Sequence, residues 1–161
     1  TGKGLGVFDF VISTEVAYHD VDVQIFGYKI GQIPEQEQFF IADKNMVQSA
    51  LNVAESSSFA KEHKFVKGRI ASGDQFIADK AVKDKIIQNF EPMCVEMEGA
   101  AIAQVCYLCN VPFLVIRAIS DSPYDEDNHI KFDDFLKISS NMAAKVIKQF
   151  LNKIVWGNFN E

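Results

Sequence analysis

A chain of 161 residues with 48% hydrophobic and 24% charged residues has the composition of a soluble globular protein large enough for its own core. Its net charge of -6, with no basic stripe, argues against nucleic acid as a partner. No apolar run approaches the roughly 20 residues that span a bilayer, and the first residues lack the order of a signal peptide, so we expect no membrane partner.

Cysteine and histidine spacing predicts neither a metal site nor a cofactor. The three cysteines lie in apolar segments, which favours reduced, buried thiols in a cytoplasmic protein. Cys106 and Cys109 have CxxC spacing, but no second pair follows, and the three histidines are scattered. The glycines of the first six residues precede a predicted strand rather than follow one, which argues against a dinucleotide site.

Strands and helices are predicted to alternate along the chain. Short β-rich or continuous apolar runs predict strands over residues 7–13, 65–72, 93–96 and 111–119. Apolar side chains at helical spacing predict helices over residues 43–56, 79–90, 98–110 and 132–156. This alternation predicts one α/β domain over residues 1–161 with a mostly parallel sheet.

Three of these elements carry further expectations. Asp43 is a candidate N-cap for the helix that follows it. The helix 98–110 is apolar almost all round, which is typical of a buried helix. The run 111–119 is nearly continuously apolar, which is typical of a central parallel strand.

Two carboxylates stand where a predicted strand meets the most apolar helix. In parallel sheets, ligands bind beyond the carboxyl ends of the strands. Glu96 and Glu98 flank Met97 at such an end, and a charge is costly to bury unless it is paired or used. The alternative is that both acids occupy the first helical turn, where the helix dipole favours anions. The apolar helix behind them favours a pocket.

Polar residues also end two other predicted strands. Arg117 lies inside an apolar strand and requires a buried acid. Ser120 and Asp121 follow where that strand ends, and a turn or a helix cap is an equally good interpretation of them. The strand ending at residue 72 continues as Ser-Gly-Asp and then exposes an aromatic residue and an Ile; the alternative is a turn whose apolar pair returns to the core.

Together these segments resemble the nucleosidase/nucleoside phosphorylase family. Its two site motifs occur in the family's order: Val-Glu-Met-Glu over residues 95–98 before a small-residue helix, then Arg-Ala-Ile-Ser-Asp over residues 117–121. Residues 18–23, 26–34 and 72–77 resemble the members that act on 5'-methylthioadenosine and S-adenosylhomocysteine. The resemblance covers nearly the whole chain and implies a three-layer sandwich of the nucleoside phosphorylase type.

The resemblance also implies a departure at the N-terminus. Family members begin with strands that have no counterpart here, roughly the first third of a full chain, and that part supplies the glutamate that activates the hydrolytic water. Thr1-Gly2 is similar to the start of the family's Gly-rich loop, but Lys3 and a short connection replace the rest. We therefore expect an N-terminally truncated chain or a degenerate homologue.

The reaction that the resemblance implies is hydrolysis of the bond between adenine and ribose, in methionine salvage, through an oxocarbenium-like transition state. Asp121 would protonate adenine at N7, oriented by Ser120. Glu98 would bind the ribose hydroxyls and favour the cationic sugar. Met97 would pack against the sugar, and Glu96, paired with Arg117, would support the site from behind.

The remaining implied contacts surround the base and the alkylthio tail. Phe76 would stack on adenine, the backbone of Ile77 would read the edge of the base, and Phe132 would complete the pocket. Phe26 and Pro34 would reach into the site of a neighbouring subunit and cover the tail, which implies a homodimer. The expected partners are thus a small nucleoside and a second copy of the chain.

Two other functions remain open at this point. A nucleoside phosphorylase needs a cationic phosphate pocket, and Arg69 and Arg117 are the only arginines of the chain. The Ser-Gly-Asp-x-Phe-Ile motif favours the hydrolase. The other alternative is a catalytically impaired homologue that binds nucleosides without turnover, since the water-activating glutamate has no counterpart.

Overall fold

The computed structural model describes residues 4–120 and 132–157, and the predictions at Asp121 and over residues 122–131 lie outside them. Five strands are found there: β1 (Phe10–Tyr18), β2 (Phe40–Ile41), β3 (Phe65–Ser72), β4 (Cys94–Glu96) and β5 (Ile116–Ala118). The four α-helices of the same ranges are α1 (Lys44–Ser56), α2 (Lys80–Phe90), α3 (Gly99–Leu108) and α4 (Phe132–Gly157). The predicted α/β class is confirmed.

A five-stranded mixed sheet forms the centre of the fold. Strand order along the sheet is β2-β1-β3-β4, and β5 also pairs with β1. The β1–β3 and β3–β4 pairs are parallel, whereas β2 and β5 run antiparallel to β1. Because β1, β3 and β4 are parallel, their carboxyl ends lie along one edge, where Tyr18 pairs with Ser72 and Ser72 pairs with Glu96.

The prediction of a central parallel strand over residues 111–119 is wrong. Only Ile116–Ala118 forms a strand, and it is antiparallel to the first half of β1. The preceding residues are held by other contacts: Asp43 donates its backbone N–H to the carbonyl of Phe113, and the Val115 N–H donates to Ser13 Oγ. A continuous apolar run indicates burial, but it does not determine the direction in which a strand pairs.

The two faces of the sheet are covered by different helices, as a three-layer sandwich requires. Val16 and Ile70 pack in one cluster with Ala100 of α3, while their neighbours Ala17 and Ala71 pack with α2. Successive strand residues point to opposite faces, so α3 and α2 lie on opposite sides. On the α2 side, Ile12, Ala50 of α1 and Phe150 of α4 form a third cluster.

Strand β1 is longer than the predicted strand over residues 7–13, and it begins and ends further along the chain. It runs to Tyr18, and its register with β3 shifts between Ser13 and Glu15. This irregularity interrupts the alternation of buried side chains, which is the signal that sequence periodicity detects. The strand therefore continues beyond the point where the apolar pattern ends.

Helices α1 and α2 each begin directly after an Asp whose side chain caps the helix. Asp43 accepts a hydrogen bond from the Met46 N–H at 2.8 Å, which confirms the predicted N-cap. Asp79 caps α2 in the same way, accepting from the N–H groups of Ala81 and Val82 at 2.8 and 3.0 Å. No helix in the described ranges has the length and apolarity needed to cross a membrane.

The prediction that α3 is buried all round is wrong. Only Gly99, Ala100 and Ala103 are buried in this helix. Its other side is exposed, with 56% of Ile102, 60% of Val105 and 63% of Leu108 accessible to solvent. A helix without a polar stripe gives no sequence signal for which face meets the sheet. The small residues of α3 pack against the sheet, and its large apolar residues face the solvent.

The loop between β1 and β2 is fixed to the sheet by a glycine. Gly31 has a φ of +77° and donates its N–H to the Val21 carbonyl at 2.8 Å. A Cβ at this position would collide with the Tyr18 carbonyl oxygen and would lie 2.7 Å from Cε1 of Phe90. Only glycine adopts this conformation at such close approach without strain.

Candidate active site

Glu96 is the centre of a polar cluster at the carboxyl ends of β3 and β4. It ends β4, and α3 begins three residues later at Gly99. The Gly99 N–H donates to both carboxylate oxygens of Glu96, at 2.9 Å each, and the Glu98 N–H donates to Oε2 at 3.1 Å. The carboxylate thus accepts the free N–H groups at the start of a helix, where the dipole favours a negative charge.

Ser72 connects this carboxylate to the last residue of β3. Its Oγ donates to Glu96 Oε1 and accepts from the Ala100 N–H at 2.8 Å. Only 1% of Ser72 is exposed. The buried hydroxyl therefore uses both its donor and its acceptor within the site.

Arg117 joins the two predicted acids from the side of β5. Its Nε donates to Glu96 Oε2 at 2.7 Å, and its Nη2 contacts both Glu96 Oε2 and Glu98 Oε2. The expected pairing of Arg117 with Glu96 is found. One guanidinium thereby fixes two carboxylates, which a planar group with five N–H donors does better than an ammonium group.

These contacts keep Glu96 and Arg117 charged. Burial alone would raise the pKa of Glu96, but hydrogen bonds from Ser72, Arg117 and Gly99 and the charge of Arg117 outweigh it, so the pKa lies below its ordinary value. Burial likewise disfavours the charge of Arg117, yet its hydrogen bonds to Glu96 and Glu98 hold its pKa above the ordinary value. The cluster is a stable ion pair rather than a proton donor near neutral pH.

Glu98 differs from Glu96 in its exposure. The side chain of Glu98 is 63% exposed, against 10% for Glu96, and Met97 between them is 42% exposed. Arg117 thus holds one inner carboxylate and one outer carboxylate that solvent or a ligand can reach. The outer one suits hydrogen bonding to the hydroxyls of a sugar, since an ionised carboxylate accepts through two oxygens.

A second polar group lies beside the cluster, at the ends of β1 and β3. Asp20 Oδ2 accepts from the Asp74 N–H at 2.8 Å, and the His19 N–H donates to the Ser72 carbonyl at 2.8 Å. The His19 ring lies against Gly73, where a Cβ would be 2.6 Å from Nε2. Burial lowers the pKa of His19, so its ring is neutral at pH 7. Its buried Nε2 has no hydrogen-bond partner within residues 4–120 and 137–152.

The other predicted site residues are more dispersed. Phe76 follows β3 and is 80% exposed, while Ile77 is half-buried against the cluster that contains Phe90. Phe26 is the last residue of a short 3-10 helix and is 75% exposed, and Pro34 is exposed in the following loop.

Ser120 is exposed just beyond β5, and Phe132 is the first residue of α4. Asp121 lies outside the described residues. The structure therefore brings Glu96 and Glu98 together with Ser72 and Arg117.

Sequence reasoning left Ser72 and Arg117 out of the predicted site. The sequence predicts Arg117 only as a partner for an acid, although an arginine in an apolar strand is itself a signal of a polar site. Ser72 carried one usable signal, its place at the carboxyl end of a predicted strand. Within the described ranges, no three Asp, Glu, His or Cys side chains are grouped in a way that would hold a metal ion.

Comparison with known proteins places the chain in a family. The model of the phosphorylase superfamily matches residues 2–152. The 5'-methylthioadenosine/S-adenosylhomocysteine nucleosidase of Glaesserella parasuis serovar 5 (strain SH0165) is 41% identical over 149 residues, which are 92% of this chain and 63% of that protein.

Solved structures agree with the sequence relatives. The crystal structure of the Campylobacter jejuni 5'-methylthioadenosine/S-adenosyl homocysteine nucleosidase superimposes with a TM-score of 0.85 at 34% identity, covering 94% of this chain and 64% of that one. The Neisseria meningitidis enzyme in complex with methylthio-immucillin-A gives a TM-score of 0.82 at 39% identity, with 94% and 64% covered.

The chain spans 63% of the length of the Glaesserella nucleosidase and 64% of each of these two structures. The similarity extends over nearly all of the present residues, through the segments that form β1 to α4 and the Glu96 cluster. The resemblance inferred from the motifs is confirmed, and the chain belongs to the phosphorylase superfamily.

Proposed function

We propose that the protein hydrolyses the N-ribosidic bond of 5'-methylthioadenosine and S-adenosylhomocysteine, releases adenine, and acts in methionine salvage in the cytoplasm. The observation that carries this proposal is the exposed Glu98 carboxylate, held by Arg117 at the carboxyl edge of the sheet. The proposal is supported by the 41% identity to the 5'-methylthioadenosine/S-adenosylhomocysteine nucleosidase of Glaesserella parasuis.

Glu98 stabilises the sugar as the bond to adenine breaks. Cleavage of an N-glycosidic bond leaves positive charge on the ribose in an oxocarbenium-like transition state. A fixed carboxylate close to the ribose hydroxyls stabilises that charge more than it stabilises the neutral substrate, which is the condition for catalysis. Arg117 and Glu96 keep Glu98 in place and leave its outer side free.

Asp121 is the proposed acid, donating or sharing a proton at adenine N7, and Ser120 orients it. Protonation makes adenine a better leaving group, and a positioned acid contributes about 10²–10⁴-fold to such steps. For this role Asp121 must be protonated in part at neutral pH, which a dry pocket favours. Phe76 stacks on the base, Ile77 reads its edge, and Met97 and Phe132 enclose the nucleoside.

A homodimer completes the proposed site. Ile25 and Phe26 are 89% and 75% exposed, and α3 presents a further apolar face formed by Ile102, Val105 and Leu108. Exposed groups of large apolar side chains of this kind suggest an interface. In the dimer, Phe26 and Pro34 of one subunit cover the alkylthio tail in the site of the other.

The test is release of adenine from 5'-methylthioadenosine, followed by chromatography with and without phosphate. We expect adenine and free methylthioribose in both conditions. Asp121→Asn should abolish most of the release, while the matched control Asp84→Asn, on the exposed face of α2 beside Lys80, should keep the parental rate. Formation of a sugar 1-phosphate only when phosphate is present would indicate a phosphorylase instead, and binding without release would indicate an impaired homologue.

A further inference from the structure

We propose that Ser72 is a positioning residue, whose hydroxyl orients the Glu96 carboxylate and thereby holds Arg117 and Glu98 in their places. Its effect on turnover rests on the proposed function, but its effect on the cluster does not. Ser72 touches none of the reacting atoms in this assignment and acts through Glu96.

The contacts of Ser72 fix its position and link β3 to Glu96 and to α3. It is the last residue of β3, fully enclosed, and it pairs in register with Glu96 on β4. Its hydroxyl accepts from the Ala100 N–H in the first turn of α3, so its proton is left for Glu96 Oε1. The orientation of this O–H is therefore determined on both sides.

The two oxygens of Glu96 share the Gly99 N–H and otherwise have different partners. Oε1 accepts from Ser72 Oγ and from the Gly99 N–H, whereas Oε2 accepts from Arg117 and from the Glu98 N–H as well as from Gly99. Without the Ser72 hydroxyl, Oε1 keeps only its share of the Gly99 N–H. The carboxylate then lacks one of the contacts that fix its rotation, and we expect Oε2 to shift from the position in which Arg117 also reaches Glu98.

The charge of Glu96 also depends on Ser72. The Ser72 hydrogen bond is one of the contacts that hold the pKa of Glu96 below its ordinary value against the effect of burial. Its loss raises that pKa, so Glu96 becomes neutral at a higher pH. Three titratable groups face Glu96: the charge of Glu96 acts on Cys94 of β4 and on His19 after β1, and Arg117 of β5 pairs with it.

The decisive variant is Ser72→Ala, and the chain offers a matched control in Ser13→Ala. Ser13 is also a fully buried serine of the same sheet, and its Oγ accepts from one backbone N–H, that of Val115, at 2.9 Å. Ser13→Ala removes this hydrogen bond from a backbone N–H, and Ser72→Ala removes the equivalent one from Ala100 together with the bond to Glu96. Of the two serines, only Ser72 has a described hydrogen bond to a carboxylate. An effect that comes only from the loss of a buried hydroxyl should therefore appear in both variants, whereas an effect through Glu96 should appear in Ser72→Ala alone.

The readout is the Nε–H signal of Arg117 in ¹H–¹⁵N NMR spectra, for which Arg69 provides an internal reference because it is the only other arginine. In Ser72→Ala we expect the Arg117 signal to shift and to exchange faster with water, while the Arg69 signal stays in place. In Ser13→Ala both signals should stay in place. An unchanged Arg117 signal in folded Ser72→Ala would overturn the proposal.

Turnover gives a second readout. Displacing a reacting or binding group by about 1 Å can cost about 10²-fold, so we expect kcat of Ser72→Ala to fall by roughly 10- to 100-fold. The acid limb of its kcat/KM profile should move to higher pH, whereas that of Ser13→Ala should not. A parental rate and profile in Ser72→Ala would overturn the positioning role.

Folding failure would not leave the question open. If Ser72→Ala does not fold, Ser72→Cys takes its place, because a thiol keeps a similar volume and is only a weak donor. We then expect a smaller shift of the Arg117 signal in the same direction, and no shift would overturn the proposal. A parent protein that releases no adenine would refute the proposed function alone, since the Arg117 signal still reports on Ser72.

Discussion

Replacing Arg117 by Met tests the cluster most directly. The change removes the cation that joins Glu96 to Glu98 while keeping an unbranched side chain of similar reach. Glu96 would keep its hydrogen bonds from Ser72 and Gly99, but Glu98 would lose the contact that holds it. We therefore expect two separable effects, one on stability and one on turnover.

The effect on stability follows from the burial of the pair. Hydrogen bonds to charged groups contribute about 1.5–3 kcal/mol each, and the pair includes Glu96, whose side chain is only 10% exposed. Arg117 is 33% exposed, so solvent screening places the loss near the lower end, at about 2 kcal/mol. For a domain of this size, such a loss lowers Tm by about 4–8 °C.

The pH dependence has a definite sign. The pKa of Glu96 is depressed in the folded protein, so its charge stabilises the fold above the ordinary value of 4.5, and this stability is lost as the pH falls through the folded value. Without Arg117 the pKa of Glu96 rises. Urea unfolding of parent and Arg117→Met should therefore differ most at pH 7, and the difference should shrink below pH 4.5.

Arg69→Met is the matched control for turnover. Arg69 pairs with Glu15 at 2.6 Å, with side chains 24% and 22% exposed, in the same sheet but away from the Glu96 cluster. Both variants should lose stability, but only Arg117→Met should lose turnover, by roughly 10- to 100-fold in kcat/KM for 5'-methylthioadenosine. Equal turnover in the two variants would refute the role assigned to Arg117.

Further changes test other parts of the proposal. Glu98→Gln should lower kcat by on the order of 10²-fold, with the free energy of unfolding changed by no more than about 0.5 kcal/mol; parental adenine release would contradict its role. Phe26→Ala should weaken binding of 5'-methylthioadenosine more than that of adenosine in calorimetry, and equal losses would argue against a tail contact. Leu108→Asp should yield monomers in light scattering, and an intact dimer would exclude the α3 face. Asp43→Ala should cost about 1 kcal/mol in urea unfolding, and an unchanged midpoint would show that the cap contributes nothing.

Local signals in the sequence predict those elements that are determined locally. The strand over residues 65–72 is found with the predicted bounds, and α1 and α2 each begin one residue after an Asp that caps them. Apolar periodicity marks the buried stripe of a helix, and a cap marks its start. Both signals are properties of a few adjacent residues, so they do not depend on the rest of the fold.

What the sequence alone did not predict depends on pairing between distant segments. The direction of β5 depends on its antiparallel pairing with β1, about a hundred residues earlier in the chain, and the exposed face of α3 depends on which side meets β1 and β3. The motif containing Glu96 and Glu98 predicted a polar site. Only the fold shows that Arg117 joins the two acids and that Ser72 donates to Glu96.

The close packing around Gly31 limits how the loop between β1 and β2 can be re-engineered. Any side chain at this position would meet both the end of β1 and the ring of Phe90, beside the core of α2. Under the proposed function, a mutant library aimed at new nucleoside tails should therefore vary Phe26 and Pro34 and keep Gly31 constant. Variants at Gly31 would change the shape of the loop and the packing of the core at once, and a selection for activity would discard them before any effect on specificity became measurable.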